Sequence, residues 1–273
     1  MNILFACSEA VPFIKTGGLA DVAGSLPQAL AGQGHDVRVI LPLYEGIGEA
    51  WRSQMRYLLN FRVQLAWRTP YCGIFELVRD GVTYYFVDNE YYFKRRELYG
   101  HYDDGERFAY FSRAVIEAPA HLDWHPDILH CNDWQTALVP IYLLEARNQV
   151  PQLWGTKSVF TIHNIEYQGR YGRETLHNLF GLSDGYFNEQ MLAYYGDVNL
   201  MKGAIYACDY LTTVSPTYAQ ELQFPMYAHG LQGVISDNRH KLSGILNGID
   251  TTLYNPWKDH GLTQFYSARQ LKG

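Results

Sequence analysis

The chain has 273 residues with a formal net charge of −6, 47% hydrophobic and 18% charged residues. This is ordinary for a folded protein with one large core, or one domain and the start of another. The acidic balance disfavours a nucleic-acid binder, which normally carries a basic face. No apolar run approaches the roughly 20 residues of a membrane helix.

The first residues, Asn2–Ala6, lack a basic leader and read as a strand, so the expected location is the cytoplasm. Next comes the pair Gly17-Gly18, then a helical pattern of Leu19, Val22, Ala23, Leu26, Ala29 and Leu30 that stops at Gly32-Gln33-Gly34. The apolar run Val37–Leu41 completes a strand–helix–strand unit of a parallel sheet. Val63–Leu65, Gly73–Val78 and Val82–Val87 read as added strands, with Asp80-Gly81 as a hairpin turn.

A helix is expected over 107–119, a strand over Asp127–His130 and a helix from Thr136 to Arg147. Ser158–Ile162 is a strand, Met201–Ala207 a helix, Tyr210–Val214 a strand, Pro216–Leu222 a helix and Ser243–Leu246 a strand. The alternation predicts an α/β fold, a doubly wound, mostly parallel Rossmann-like sheet with helices on both faces. The last 30 residues lose this rhythm, which places a domain over 1–243 and a separate segment over 244–273. Cys7, Cys72, Cys131 and Cys208 lack CxxC spacing, so four reduced thiols and no metal site are expected.

Open parallel sheets bind ligands beyond the carboxyl ends of their strands, so polar residues just after predicted strands matter most. Lys15-Thr16-Gly17-Gly18 opens a helix, where bare amides and the helix dipole favour an anion and Lys15 adds charge. A tight turn beside a solvated lysine is the other reading. Asp133 either accepts from hydroxyl groups or caps a helix. His163 and Asn164, with Gln168, crowd a strand end and need partners whether structural or ligand-bound. Asn247-Gly248 is a turn first and a ligand contact second. Tyr91–Gly100 is an aromatic-basic loop, and most such loops are surface.

Negative evidence narrows the class. GxGxxG, the P-loop and G-x-S-x-G are absent, which weighs against nicotinamide enzymes, P-loop proteins and α/β-hydrolases. No D-x-D occurs, which disfavours the metal-dependent glycosyltransferase architecture. His121 and His125 at i, i+4 lack the HExxH glutamate and read as a solvated face.

Cys7-Ser8-Glu9, Lys15–Val22, Tyr99-Gly100, Arg107-Phe108, His130–Trp134, Phe160–Gly169, Thr213–Ala219 and Gly244–Asp250 together resemble the bacterial glycogen synthase and plant starch synthase family, in order along nearly the whole chain. The resemblance implies the N-terminal half of a GT-B fold, with its active site in a cleft between two Rossmann-like domains. It implies retaining transfer of glucose from ADP-glucose to the non-reducing end of an α-1,4-glucan such as glycogen, without a metal or other cofactor. On that footing Lys15, Gly17 and Gly18 hold phosphates. Asp21, Asp133, His163, Asn164 and Asn247 line the glucose and reaction centre, and Tyr99 touches the donor or the sugar. At Gln232 the family often has glutamate. The family's second domain, which supplies cations for the leaving diphosphate, is not in this sequence, so the chain alone is expected to be inactive. The competing reading is a non-catalytic module that binds α-glucan or nucleotide sugar.

Overall fold

Asn2–Ala6 forms β1, whose residues Ile3–Ala6 are all buried because the strand lies inside the sheet with neighbours on both edges. A computed structural model describes residues 1–251 and 254–270. The helix α1, Gly18–Gly32, follows; it ends where expected, and Gly34 takes φ 89° beyond it. The crossover delivers β2, Asp36–Pro42, parallel to β1 with Asn2 opposite Asp36.

Next come three strands: β3 (Arg56–Arg62), β4 (Tyr71–Arg79) and β5 (Val82–Asp88). β4 runs antiparallel to both neighbours, and β5 joins the main sheet parallel to β2. The strand expected at 63–65 is corrected: the edge strand is Arg56–Arg62, and Val63 bonds only Pro70 O beyond it. Only Phe61 is buried in β3, because an edge strand exposes most of its side chains and leaves no clean alternation to read. His121, expected on a solvated face, stacks on Phe61 with ring centroids 4.1 Å apart.

The chain then forms α2 (Asp104–His121), β6 (Ile128–Asn132), a 3₁₀ turn at Trp134–Thr136, α3 (Leu138–Gln149) and β7 (Lys157–Ile162). The strands β8 (Arg170–Tyr171), β9 (Ala193–Tyr194) and β10 (Asp197–Asn199) make a separate antiparallel meander in the order β8-β10-β9. Then come α4 (Leu200–Ala207), β11 (Tyr210–Thr213), α5 (Pro216–Glu221), α6 (Gln232–Asp237) and β12 (Leu242–Gly244). The last strand is one register earlier than Ser243–Leu246, though Ile245 N still donates to Thr213 O.

The nine strands lie in the order β12-β11-β7-β6-β1-β2-β5-β4-β3. Chain progress runs outward in opposite directions from the β1/β6 pair, so right-handed crossovers send α1 to one face and α3 and α5 to the other. On the first face a recess lies between α1 and the strands β6, β7 and β11. The core runs through the sheet from Val39 and Phe86 to Phe5, Leu129, Phe160 and Leu211, all fully buried. Each such side chain contributes roughly 1.5–3 kcal/mol. Among the described residues no helix is long and apolar enough to cross a membrane.

Candidate functional site

The polar residues singled out after strands gather at the carboxyl end of the sheet. Ser8 and Glu9 follow β1, Asp133 follows β6, His163 and Asn164 follow β7, and Asn247 lies beyond β12. The pairing Ala6↔Cys131, Asn132↔Thr161 and Thr161↔Thr212 puts these ends level.

Asp133 has φ 56° and ψ −178°, a backbone conformation that is strained for any residue with a side chain. Its side chain does not cap the turn it opens, so the helix-cap alternative is corrected. Instead Oδ1 accepts from His163 N at 2.8 Å and Asn164 N at 3.3 Å, closing the β7 end onto the β6 end. Burial pushes this carboxyl up to about 7, against the two amides that favour its charge, and the Glu9 carboxylate adds to the rise. At neutral pH it therefore sits near the midpoint of its titration.

His163 is half-buried, and burial pulls its imidazole down to about 4. Nε2 lies 2.9 Å from Asn132 Oδ1, while Asn132 Nδ2 donates to Ala6 O at 3.0 Å. The Asn132 oxygen is therefore the acceptor, His163 carries its proton on Nε2, and Nδ1 is left as an acceptor. Below it His130 Nε2 meets Thr161 Oγ1 at 2.7 Å, and Thr161 Oγ1 meets Thr212 Oγ1 at 2.6 Å. His130 is driven down to about 3 by burial first and by His163 second. This ladder ties three strands together under the site. The sequence reading assigned no role to Asn132, His130, Thr161 or Thr212; the available signal was their alternation along strands that end at the site.

At the head of α1 the backbone of Gly17 is extended and neither glycine has positive φ. A Cβ on Gly17 would meet Glu9 Oε1 at 3.6 Å, an ordinary contact, and one on Gly18 would meet nothing within 4 Å. The turn therefore needs glycine at neither position. Glu9, 3% exposed, accepts from Thr16 N, from Thr16 Oγ1 at 2.8 Å and from Gly17 N at 3.3 Å through one oxygen. Lys15 is exposed to solvent and also paired: Nζ lies 2.7 and 2.6 Å from the two oxygens of Asp21, one turn into α1. That partner raises the Lys15 ammonium above its ordinary value.

Tyr99 reaches the same strand end. Its hydroxyl and Ser8 Oγ are 2.7 Å apart, and burial pushes the phenol up. The loop carrying it is clamped by a buried pair. Arg107, fully buried, donates to Tyr92 O at 2.7 Å, to Leu98 O at 3.1 Å and to Asp104. Asp104 accepts from Gly100 N at 2.7 Å and His101 N at 3.2 Å. The Tyr91–Gly100 segment is thus a tethered loop rather than a loose surface one.

A recess of about 70 Å³ is lined by Val22 and Leu26 of α1, by the His130, Thr161 and Thr212 ladder, and by His163 and Asn247. It brings Asn247 and His163 together beside α1. Asn164 is exposed, and its side-chain oxygen accepts from Glu166 N at 2.9 Å, closing the loop after β7. A larger recess of about 200 Å³ beyond β2 and β5 carries Glu45, Asp88 and Glu90 against Arg52 and Lys94. Its surplus of carboxylates suits an anion poorly. Cys7, Cys72, Cys131 and Cys208 are free and buried, and burial pushes Cys72 and Cys208 to about 12, away from thiolate chemistry.

The chain matches the starch synthase catalytic domain family over residues 2–237. It is 51% identical over 271 residues to a glycogen synthase of Bacillus cereus (strain Q1), covering 99% of this chain and 57% of the relative. A glycogen synthase of Clostridium novyi (strain NT) is 50% identical over 273 residues, covering 100% and 57%. The solved catalytic domain of starch synthase IV from Arabidopsis thaliana, bound to ADP and acarbose, superposes with a TM-score of 0.89 at 34% identity, covering 99% of this chain and 56% of that one. The chain thus spans less than three-fifths of the length of these relatives.

Proposed function

Because the chain belongs to the glycogen synthase and starch synthase catalytic-domain family, we propose that it is the donor-side half of a retaining glucosyltransferase. The reaction passes glucose from ADP-glucose to the non-reducing end of an α-1,4-glucan such as glycogen. The observation that carries this reading is the unexplained glycine pair. Neither Gly17 nor Gly18 is required by backbone conformation or by crowding inside the chain. A body approaching from outside remains as the reason, and the exposed head of a 15-residue helix suits a diphosphate.

In this reading the Gly17-Gly18 turn and Lys15 take the phosphates. Lys15 must divide its charge between Asp21 and the incoming anion. His163 offers a neutral acceptor nitrogen at the reaction centre, beside Asn164 and Asn247. Asp133 fixes the loop that carries His163, and its carboxylate, with that of Asp21, favours the positive charge that develops on the sugar ring. Tyr99 braces the floor from Ser8. Residues 1–243 form this half, and 244–273 lead toward a second domain; positions 252, 253 and 271–273 of that segment lie outside the described residues.

Charge explains why a second half is needed. A departing diphosphate gathers negative charge, and Lys15, already paired, covers only part of it. The chain is titrated with ADP and ADP-glucose while amide shifts are followed by NMR, and glucose incorporation into glycogen is assayed. Shifts centred on Gly17, Gly18 and His163, with no incorporation, are expected. Shifts absent from that end of the sheet would sink the reading. Binding of glucan without any nucleotide response would favour a glucan-binding module instead.

A further inference from the structure

Glu9 is a buried acid that no cation touches directly among the described residues, although its charge reaches Lys15 through space. It lies three residues beyond β1, is 3% exposed, and forms no salt bridge among the described residues. An uncompensated buried carboxylate is costly unless donors surround it. Here the donors are the Thr16 and Gly17 amides and the Thr16 hydroxyl, all on Oε2. The other oxygen, Oε1, faces Gly17, at 3.6 Å from where its Cβ would stand. The next amide, that of Gly18, has no acceptor among the described residues, and a Cβ at Gly18 would meet nothing within 4 Å.

We propose that Glu9 is a positioning residue for the diphosphate: it fills the inward amides of the turn from below and so holds the Gly18 amide outward at the head of α1. This rests on the donor-half reading above, which assigned the turn but gave Glu9 no part. The carboxylate shapes the anion seat through the Thr16 and Gly17 amides that it holds. The acid also reaches the reaction centre through space, since it helps to raise Asp133. One side chain at the end of β1 thus sets the geometry of the phosphate seat.

Two substitutions separate the contribution of the acceptor from that of the charge. Glu9→Gln keeps an oxygen for all three donors, whereas Glu9→Met keeps the volume and removes the acceptor. Hydrogen exchange by NMR on the free chain should show the Thr16 and Gly17 amides protected about tenfold or more over Gly18, protection retained in Glu9→Gln and lost in Glu9→Met. ADP should bind Glu9→Gln within about threefold of the parent and Glu9→Met about tenfold more weakly, with Gly17 and Gly18 no longer shifting as a pair. Unprotected Thr16 and Gly17 amides in the parent chain would overturn the proposal, and so would a Glu9→Met chain that binds ADP like the parent. Should Glu9→Met fail to fold, exchange in the parent and in Glu9→Gln decides alone. Protected amides in a chain that ignores ADP would retire the donor-half reading while leaving the grip of Glu9 on the turn intact.

Discussion

Asn132 Oδ1 accepts from His163 Nε2 at 2.9 Å, and its own amide nitrogen is committed to Ala6 O. An asparagine held at one end cannot flip, so the imidazole it faces has one tautomer. Nitrogen-detected NMR of the histidine rings should show His163 neutral and protonated on Nε2 from pH 6 to 8. Asn132→Asp puts a carboxylate beside the ring and should raise its titration by about one unit or more. An unchanged His163 titration in that variant would show that the contact does not govern the ring.

The two buried histidines also set how stability responds to acid. His130 and His163 titrate near 3 and 4 in the folded chain, against roughly 6.5 when unfolded. Below about pH 6.5 the unfolded chain takes up protons that the folded one refuses, so stability falls as pH drops toward 4. Asp133 acts in the opposite sense: its folded titration is raised to about 7, so its ionisation costs stability as pH rises from about 4 to 7. Two groups outweigh one, and urea midpoints should decline from pH 6.5 to 4.5. A His130→Gln chain should show a shallower decline over that interval.

Asp133 joins an unusual backbone to a side-chain strap, and the two separate by substitution. Asn tolerates positive φ and keeps an oxygen for the His163 and Asn164 amides. Asp133→Asn should therefore fold with stability within about 1 kcal/mol of the parent, because the acceptor survives. Asp133→Ala leaves the His163 amide unpaired and should lose about 1–3 kcal/mol in urea denaturation. Equal losses in the two variants would show that the strap contributes nothing.

Gly18 separates folding from binding. Alanine there meets nothing within 4 Å, and helix propensity favours it over glycine by roughly 0.5–1 kcal/mol. Gly18→Ala should melt at or slightly above the parent temperature while its response to ADP weakens about tenfold or more, because a methyl group blocks close approach to the amide. A variant that binds ADP normally would remove the case for a ligand at this turn.

Much of this was legible in the sequence, for identifiable reasons. β1, β5, β6 and β7 lie inside the sheet, so their residues form apolar runs that end abruptly at polar groups. The same abruptness marked Asp133 and His163. The edge strand Arg56–Arg62 was misplaced because solvent covers most of it. The meander was missed because Arg170–Tyr171 and Ala193–Tyr194 are too short for any periodicity. Pairings inside the site were hidden for another reason. That Lys15 meets Asp21, and Glu9 meets Thr16, follows from how the turn folds back over the end of β1, which spacing alone does not reveal. The arginine clamp on the Tyr99 loop was likewise invisible, since a fully buried Arg107 runs against the habit of its residue type.

β1 pairs Ile3 with Val37 on one edge and with Ile128 on the other. During synthesis the first edge is satisfied once a few dozen residues have left the ribosome, while the second waits for more than a hundred. Throughout that interval the nascent chain displays an unpaired apolar strand. Until β6 arrives, that free edge is open to pairing with other chains.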